Sequence, residues 1–266
     1  MAIPSRQIGW GTEENLLWQI SKQLESLTKV VYNIPNNTTT TTSTTSTTST
    51  TTSTTTAAPG PGNVGIAAST DFDIVGDFTI EMFVNLSNLD GFPRPYSFGA
   101  YPAPNAMSIE GGSLYFWANN ASLINGTFSP NTGQWYHLCV MGSGSTAYMF
   151  IDGSNVASSP YGGTISSQSL PLTIGDGNEP NSSFNGLMSN FRWTDSALYS
   201  TSGFTVPTST LPNVANTKLL IFQGTNLPQQ LADNSGNAHN ATNSGATYSA
   251  SNPFAGTEGS LQMGVV

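Results

Sequence analysis

Charge is what this chain has least of. Only 8% of its 266 residues are Asp, Glu, Lys or Arg, against about 25% in an ordinary soluble protein. That excludes both a charged disordered tail and a helical protein laced with ion pairs. Cations are scarcer still: six Lys and Arg stand against fifteen Asp and Glu, for a formal net charge of -9, and no basic cluster occurs. Sequence-independent nucleic-acid binding needs several cations to displace phosphate counterions, so the composition argues against nucleic acid as a partner. A single cysteine, Cys139, excludes an intrachain disulfide and a thiolate metal cage. Packing or oligomerisation must supply the stability instead. No run of eighteen apolar residues occurs, and Met1 to Trp10 has neither the positive patch nor the apolar stretch of a secretory signal. The expectation is no membrane insertion and no signal peptide.

What is present falls into three segments. In the first, residues 1–34, a loop-like start ends at Thr12, a plausible N-cap, with Glu13 and Glu14 in the first turn where the helix dipole favours negative charge. Leu17, Ile20, Leu24, Leu27 and Val31 then recur at a 3-4-3-4 spacing that keeps one apolar stripe on a single face. The spacing predicts an amphipathic helix of about five turns, and such a helix draws its stability from whatever covers the stripe. Two readings stand: it packs on its own chain, or it self-associates or docks on another protein. The polar tract that follows favours the second.

That tract, Thr38 to Thr56, holds fifteen Thr and four Ser and nothing else. With no side chain able to enter a core, it cannot offset the entropy of ordering its backbone. Fully extended it reaches roughly 60 Å. Residues 35–62 therefore read as a stalk closed by the Pro and Gly hinge at Pro59 to Gly62. A flexible or glycosylated spacer is one reading. Pairing of identical β-branched tracts is the other.

The third segment, residues 63–266, changes character. Aromatic and β-branched stretches recur every eight to fifteen positions between Gly, Asn, Ser and Pro clusters, the pattern of an all-β sandwich or barrel with no second helix. In Phe78 to Asn85 the apolar Phe78, Ile80, Met82 and Val84 share one face by period two. Further strands are predicted at residues 113–118, 135–141, 147–151, 170–174, 187–193 and 218–222, in two antiparallel sheets packed face to face.

Particular residues carry a family resemblance. Phe78-Thr79-Ile80-Glu81, Trp135-Tyr136-His137-Leu138, Met149-Phe150-Ile151-Asp152-Gly153, Leu172-Thr173-Ile174-Gly175, Phe184-Asn185-Gly186, Phe191-Arg192-Trp193 and Ala197-Leu198 follow one another in the order and spacing of a laminin-G-like domain. In that sense the segment resembles the concanavalin A-like lectin and glucanase superfamily. Asp233 to His239, before Pro253-Phe254, resembles the turn by which such domains return a late strand beside the first. The resemblance spans residues 63–254 and implies a two-sheet jelly roll, most often a binding or adhesion module that recognises carbohydrate. Separately, Ile3 to Gly11 followed by Glu14 to Ile20 resembles the leader of structural fibre or decoration proteins of tailed bacteriophages and large DNA viruses. It implies attachment to other virion proteins through Trp10, Leu17, Ile20, Leu24, Leu27 and Val31, and a place on the virion surface. By analogy with fibres, the expected homo-oligomer is a trimer.

Glucanases of this fold use Glu-x-Asp-x-Glu on one strand, because acid and nucleophile must flank one glycosidic bond about 5 Å apart. No such cluster occurs here: Glu81 has Thr79 and Phe83 as same-face neighbours, so the expectation is no enzyme and no catalytic residue. His137 and Cys139 share a strand face, but a buried lone cysteine behaves as a small hydrophobe. His239 sits in a Gly and Asn turn where a local hydrogen bond accounts for it. No cofactor is required. Calcium, which the resemblance allows, would draw on Asp176, Asn178 and Glu179, with Asp233 and Asn234 as further donors; turn conformation accounts for the same residues. Sugar recognition needs an aromatic platform beside amides and charged groups. Arg94, Tyr96, Tyr101, Tyr115, Trp117 and Asn119 supply those types at predicted strand edges, while Trp135, Phe191 and Trp193 are assigned to packing. The sum is a virion appendage that displays a lectin-like tip for host-surface or environmental glycans. Its alternative is a structural decoration protein that binds no sugar, and a glycan hydrolase is disfavoured.

Overall fold

The computed structural model describes residues 62–264. The chain divides into two compact units, residues 1–54 and 55–266, and only the second carries described residues. The expected helix bearing Trp10, Leu17, Ile20, Leu24, Leu27 and Val31, and the Thr/Ser tract, lie outside them.

In chain order the strands are β1 (Asn63–Ile66), β2 (Ile74–Val75), β3 (Phe78–Leu86), β4 (Tyr96–Phe98), β5 (Asn105–Glu110), β6 (Ser113–Ala118), β7 (Ala121–Thr127) and β8 (Trp135–Ser143). They continue as β9 (Thr146–Ile151), β10 (Ser154–Pro160), β11 (Thr164–Ile165), β12 (Leu172–Ile174), β13 (Gly186–Thr194), β14 (Thr217–Ile221), β15 (Ala241–Ser244), β16 (Thr247–Ser249) and β17 (Ser260–Met263). The first sheet runs β15-β1-β12-β4-β5-β6-β7. The second runs β10-β9-β8-β3-β13-β17-β16, with β14 also pairing to β13. All the strand pairings are antiparallel, so the expected two-sheet jelly roll is what the chain forms. Each predicted strand is present within two residues of its expected bounds.

Period-two alternation decides what fills the core. Phe78, Ile80, Met82, Val84 and Leu86 of β3 face Val64 and Ile66 of β1, Tyr96 and Phe98 of β4, and Leu114 and Phe116 of β6 across one contiguous cluster. Each such side chain contributes roughly 1.5–3 kcal/mol by leaving water. On β13 a bulge between Ser189 and Arg192 changes the parity, so that Met188, Phe191 and Trp193 all point inward. Asn190 takes the extra position with a left-handed φ of 54°, and its Oδ1 accepts from the Leu211 amide and Gln223 Nε2. Trp193, expected to pack, is fully buried among Phe72, Tyr96 and Phe98.

One expectation about the elements is corrected. The segment does contain helix: a 3-10 turn at Thr70–Phe72 and α1 at Leu227–Leu231. Only five residues long, α1 shows no apolar period; Asn226 caps it by accepting from the Gln229 amide at 3.1 Å, and Pro228 starts it. His239 makes the local hydrogen bond expected of its turn, its amide donating to Asp233 Oδ2 at 3.0 Å, and it has longer-range neighbours as well. Its ring lies 5.0 Å from that of Phe72, and Nε2 is 3.2 Å from Asp71 Oδ2. The turn it belongs to behaves as expected, since β15 pairs beside β1.

Candidate functional site

The outer face of the first sheet holds a depression of about 390 Å³ lined by Phe92, Arg94, Tyr101, Ser108, Glu110, Trp117 and Glu179. Its aromatic wall comes from β6, where Phe116 enters the core and therefore Tyr115 and Trp117 project outward. Hairpins fix the two ends of that strand. Gly111-Gly112 and Asn119-Asn120, all with positive φ, form the two-residue turns that join β6 to β5 and β7. Tyr115 and Trp117 stack at 6.3 Å, and Tyr101, 60% exposed on the β4–β5 loop, meets Trp117 edge-on at 5.3 Å. The indole Nε1 donates to Ser108 Oγ at 3.0 Å, which fixes the ring's orientation.

The floor is charged. Arg94 precedes β4, and its loop is held by backbone hydrogen bonds from Phe92 to Asn181, Arg94 to Ser182, and Ile109 to Pro93. The guanidinium is 2% exposed; Nη2 lies 2.6 Å from Glu179 Oε1 and Nη1 donates to Ser97 Oγ at 3.4 Å. Glu179 Oε2 also accepts from the Tyr101 amide at 3.4 Å, tying the exposed ring to the ion pair. Burial pulls the Arg94 guanidinium below its ordinary range, and Glu179, Glu110 and Asp176 pull against that shift. Arg94 Nε is buried without a hydrogen-bond partner.

The structure therefore brings together Arg94, Tyr101, Tyr115 and Trp117 of the sugar-site set and separates the other two. Tyr96 belongs to β4, where alternation sends it into the core and not to the sugar site expected of it. It is fully buried against Phe191 and Trp193 and donates to Asn105 Oδ1 at 2.9 Å, out of reach of any ligand. Asn119 serves the hairpin with its left-handed φ of 51°, and its Nδ2 donates to Thr164 O at 3.1 Å. Ser108 and Glu110 were not singled out from sequence. Met107-Ser108-Ile109-Glu110 before Gly-Gly is the alternating hairpin signal that reveals them.

The expected calcium loop has other work. Asp176 Oδ1 accepts from the Gly177 amide at 2.8 Å and Ser182 Oγ at 2.9 Å, and Asn178 Nδ2 donates to Thr173 Oγ1 at 3.1 Å. Glu179 is committed to Arg94. Asp233 accepts from the amides of Leu220, Ser235 and His239, and Asn234 Nδ2 donates to Gln223 Oε1. Calcium demands six to eight oxygens around it, whereas a guanidinium borders this loop. The donors present do not fit the ion, and among the described residues no group of three or more metal-ligating side chains forms.

The second sheet carries a sealed polar cluster on its outer face. Glu81 of β3 is fully buried; Oε2 lies 2.9 Å from His137 Nε2 and accepts from Tyr199 Oη at 2.7 Å, while Oε1 accepts from Arg192 Nε at 2.9 Å. Burial alone would push the carboxyl up, but the hydrogen bond and pull of His137, the Arg192 charge and the Tyr199 hydroxyl together hold it below its ordinary value. Tyr199 belongs to residues 195–216, which cross this face as a strap. Cys139 lies under the same cover, and burial pushes its thiol well up, so it is no nucleophile at neutral pH. Beside the cluster runs a groove of about 400 Å³ bounded by Phe83, Trp135, Val206, Pro207 and Phe254. There Trp135, assigned to packing, lies partly buried against Phe83.

An antiparallel sandwich with an aromatic-walled, polar-floored depression on one sheet is the architecture of lectin-like β-sandwich proteins. Residues 59–202, more than half of the chain, match the Laminin_G_3 family, described as the concanavalin A-like lectin/glucanases superfamily, and the chain belongs to that family. Among solved structures it is similar to a Bacteroides ovatus protein provisionally assigned to carbohydrate binding, at 16% identity and a TM-score of 0.50. That match covers 70% of this chain and 59% of the other, so the chain spans about three fifths of its length. Likeness at this identity concerns the fold alone. Weaker matches are the mouse laminin α1 chain domains LG4-5, at 17% identity, TM-score 0.34 and coverage of 56% and 47%. Tailspike protein 2 of the Escherichia coli O157:H7 bacteriophage CAB120 matches at 11% identity, TM-score 0.34 and coverage of 53% and 26%. No curated protein matches the sequence.

Proposed function

We propose that this protein is a virion-surface appendage whose sandwich binds glycan in the depression between Tyr101 and Trp117. The observation that carries the sugar-binding reading is the pairing of an exposed, edge-on aromatic wall with a floor of carboxylates and hydroxyl. Aromatic faces cover the apolar side of a pyranose ring, and carboxylate oxygens accept from its hydroxyls. Ser108 Oγ accepts from the indole and keeps its own proton to donate. The family lends weight to a binding module, and the burial of Glu81 beneath Arg192, His137 and Tyr199 leaves no accessible acid and nucleophile pair there for glycoside cleavage. The virion placement rests on the leader-like residues 3–20, the amphipathic stripe and the Thr/Ser stalk of the sequence.

A glycan array probed with the intact protein tests the site. Trp117→Ala removes the central ring of the wall, and an aromatic anchor at a binding site is worth about 2 kcal/mol or more, a roughly 30-fold loss of affinity. Trp117→Phe keeps a stacking face and retains most of it. Equal binding by wild type and Trp117→Ala would place the sugar elsewhere. For the virion role, particles assembled with a chain lacking residues 1–34 should lose the protein, as judged by its presence in purified virions.

A further inference from the structure

We infer that the depression selects uncharged pyranosides and turns away sugars bearing carboxylate or sulfate groups. The inference rests on the proposed sugar-binding reading and adds the class of glycan. A lone arginine at the floor of a sugar site ordinarily suggests an acidic ligand, because a guanidinium matches a carboxylate in a bidentate fork. Here the guanidinium is buried and already ion-paired through one arm of that fork. Glu179 holds Arg94 Nη2 at 2.6 Å, with side chains only 3% and 19% exposed. Glu110 lines the same depression and Asp176 also acts on the guanidinium, so three carboxylates answer one cation.

An anionic sugar reaching for Arg94 would have to expel Glu179 and leave that carboxylate unpaired beside Glu110. An uncharged sugar meets no such conflict, since its hydroxyls donate to the carboxylates as they stand. The rest of the domain reinforces the choice. Only three cations lie among the described residues, and each is already ion-paired: Arg94 with Glu179, Arg192 with Glu81, and Lys218 with Asp71 and Asp195. Twelve Asp and Glu side chains occupy the same residues. Approaching polyanions therefore meet a repulsive field before they reach the depression.

The test uses the full chain and matched ligands: neutral gluco-, manno- and galacto-oligosaccharides, each beside its own product of oxidation at C6 to the uronate. Calorimetry in low salt should show the neutral member of any bound pair at least about 30-fold tighter, a gap that narrows as salt screens the exposed part of the repulsion. Glu179→Gln frees the guanidinium and should raise uronate affinity relative to the neutral partner about tenfold or more, with an unchanged circular dichroism spectrum. A uronate that binds wild type as tightly as its neutral partner overturns the selectivity alone. So does a Glu179→Gln protein with an unaltered ratio. If no member of any pair binds, the sugar-binding reading itself falls and the selectivity with it.

Discussion

Glu81, His137, Arg192 and Tyr199 come from β3, β8, β13 and the strap, and the first three meet buried beneath the fourth. A sequence shows Glu81 as an isolated carboxylate and His137 as a strand histidine, because partners 56, 111 and 118 positions away leave no local trace. Their meeting has a measurable energetic signature. Removing one member of a buried ion pair strands the other charge and typically costs about 3–5 kcal/mol. Glu81→Gln should therefore lower unfolding free energy by about that much at pH 7, measured in urea. The pH dependence follows from the direction of the shift. The native Glu81 carboxyl lies below the ordinary 4.5, so its contribution is complete above that value and disappears as the pH falls through the lower native one. The gap between wild type and Glu81→Gln should accordingly narrow as the pH is lowered below 4.5. A gap that persists unchanged would mean that Glu81 contributes through packing and not through its charge. At the proposed sugar site the same blindness to distance applies to Arg94 and Glu179, which are legible as a candidate sugar-site cation and a candidate metal-loop acid but not as a pair.

The elements were legible where alternation and turn chemistry agree. Phe78 to Asn85 announces β3 by period two, and Asp152-Gly153 announces the β9–β10 hairpin, whose residues do take positive φ of 47° and 74°. β4 is absent from the predicted strands because Tyr96–Phe98, three residues flanked by Pro95 and Gly99, show too little alternation to separate strand from loop. The strap was invisible for a different reason. Residues 195–216 are rich in Ser, Thr and Pro without period, and what fixes them is tertiary: the Thr79 hydroxyl donates to Ser196 O, Tyr199 stacks on Phe204 at 3.7 Å, and the Phe204 amide donates to Gly153 O at 2.9 Å. Gly153 thus has two duties, the left-handed turn and the close approach of the strap. A Cβ there would lie 2.0 Å from Phe204 O. Gly153→Ala should lift the strap at a cost of about 1–3 kcal/mol. The expected outcome is faster proteolytic cleavage within residues 195–216, with the far-ultraviolet spectrum of the sheets retained. Cleavage at the wild-type rate would show that Phe204 tolerates displacement without releasing the segment.

On the scale of the whole molecule, the charge is divided unevenly along the chain. Residues 1–61 carry three cations and three acids, so the entire net charge of -9 belongs to the sandwich and its end. Under the proposed function, a neutral Thr-rich tract joined to an acidic domain would serve presentation, with like-charged domains keeping apart. Under the proposed function, a depression whose one cation is already paired within the protein gives weak binding by a single domain, and repetition must provide the strength. Linked sites gain about 10²–10⁴ in avidity when the linker spans the spacing of the ligands. The sequence expectation that Leu17 to Val31 self-associates makes this testable without the virion. On a surface densely coated with a bound neutral glycan, the intact chain should dissociate at least about 100-fold more slowly than a fragment of residues 62–266, and the two should converge when the coating is made sparse. Mass photometry on the same samples should give an oligomer for the intact chain and a single mass of one chain for the fragment. Equal dissociation on the dense surface, with both species monomeric, would leave the stripe without a role in display and direct the search for its partner to the particle itself.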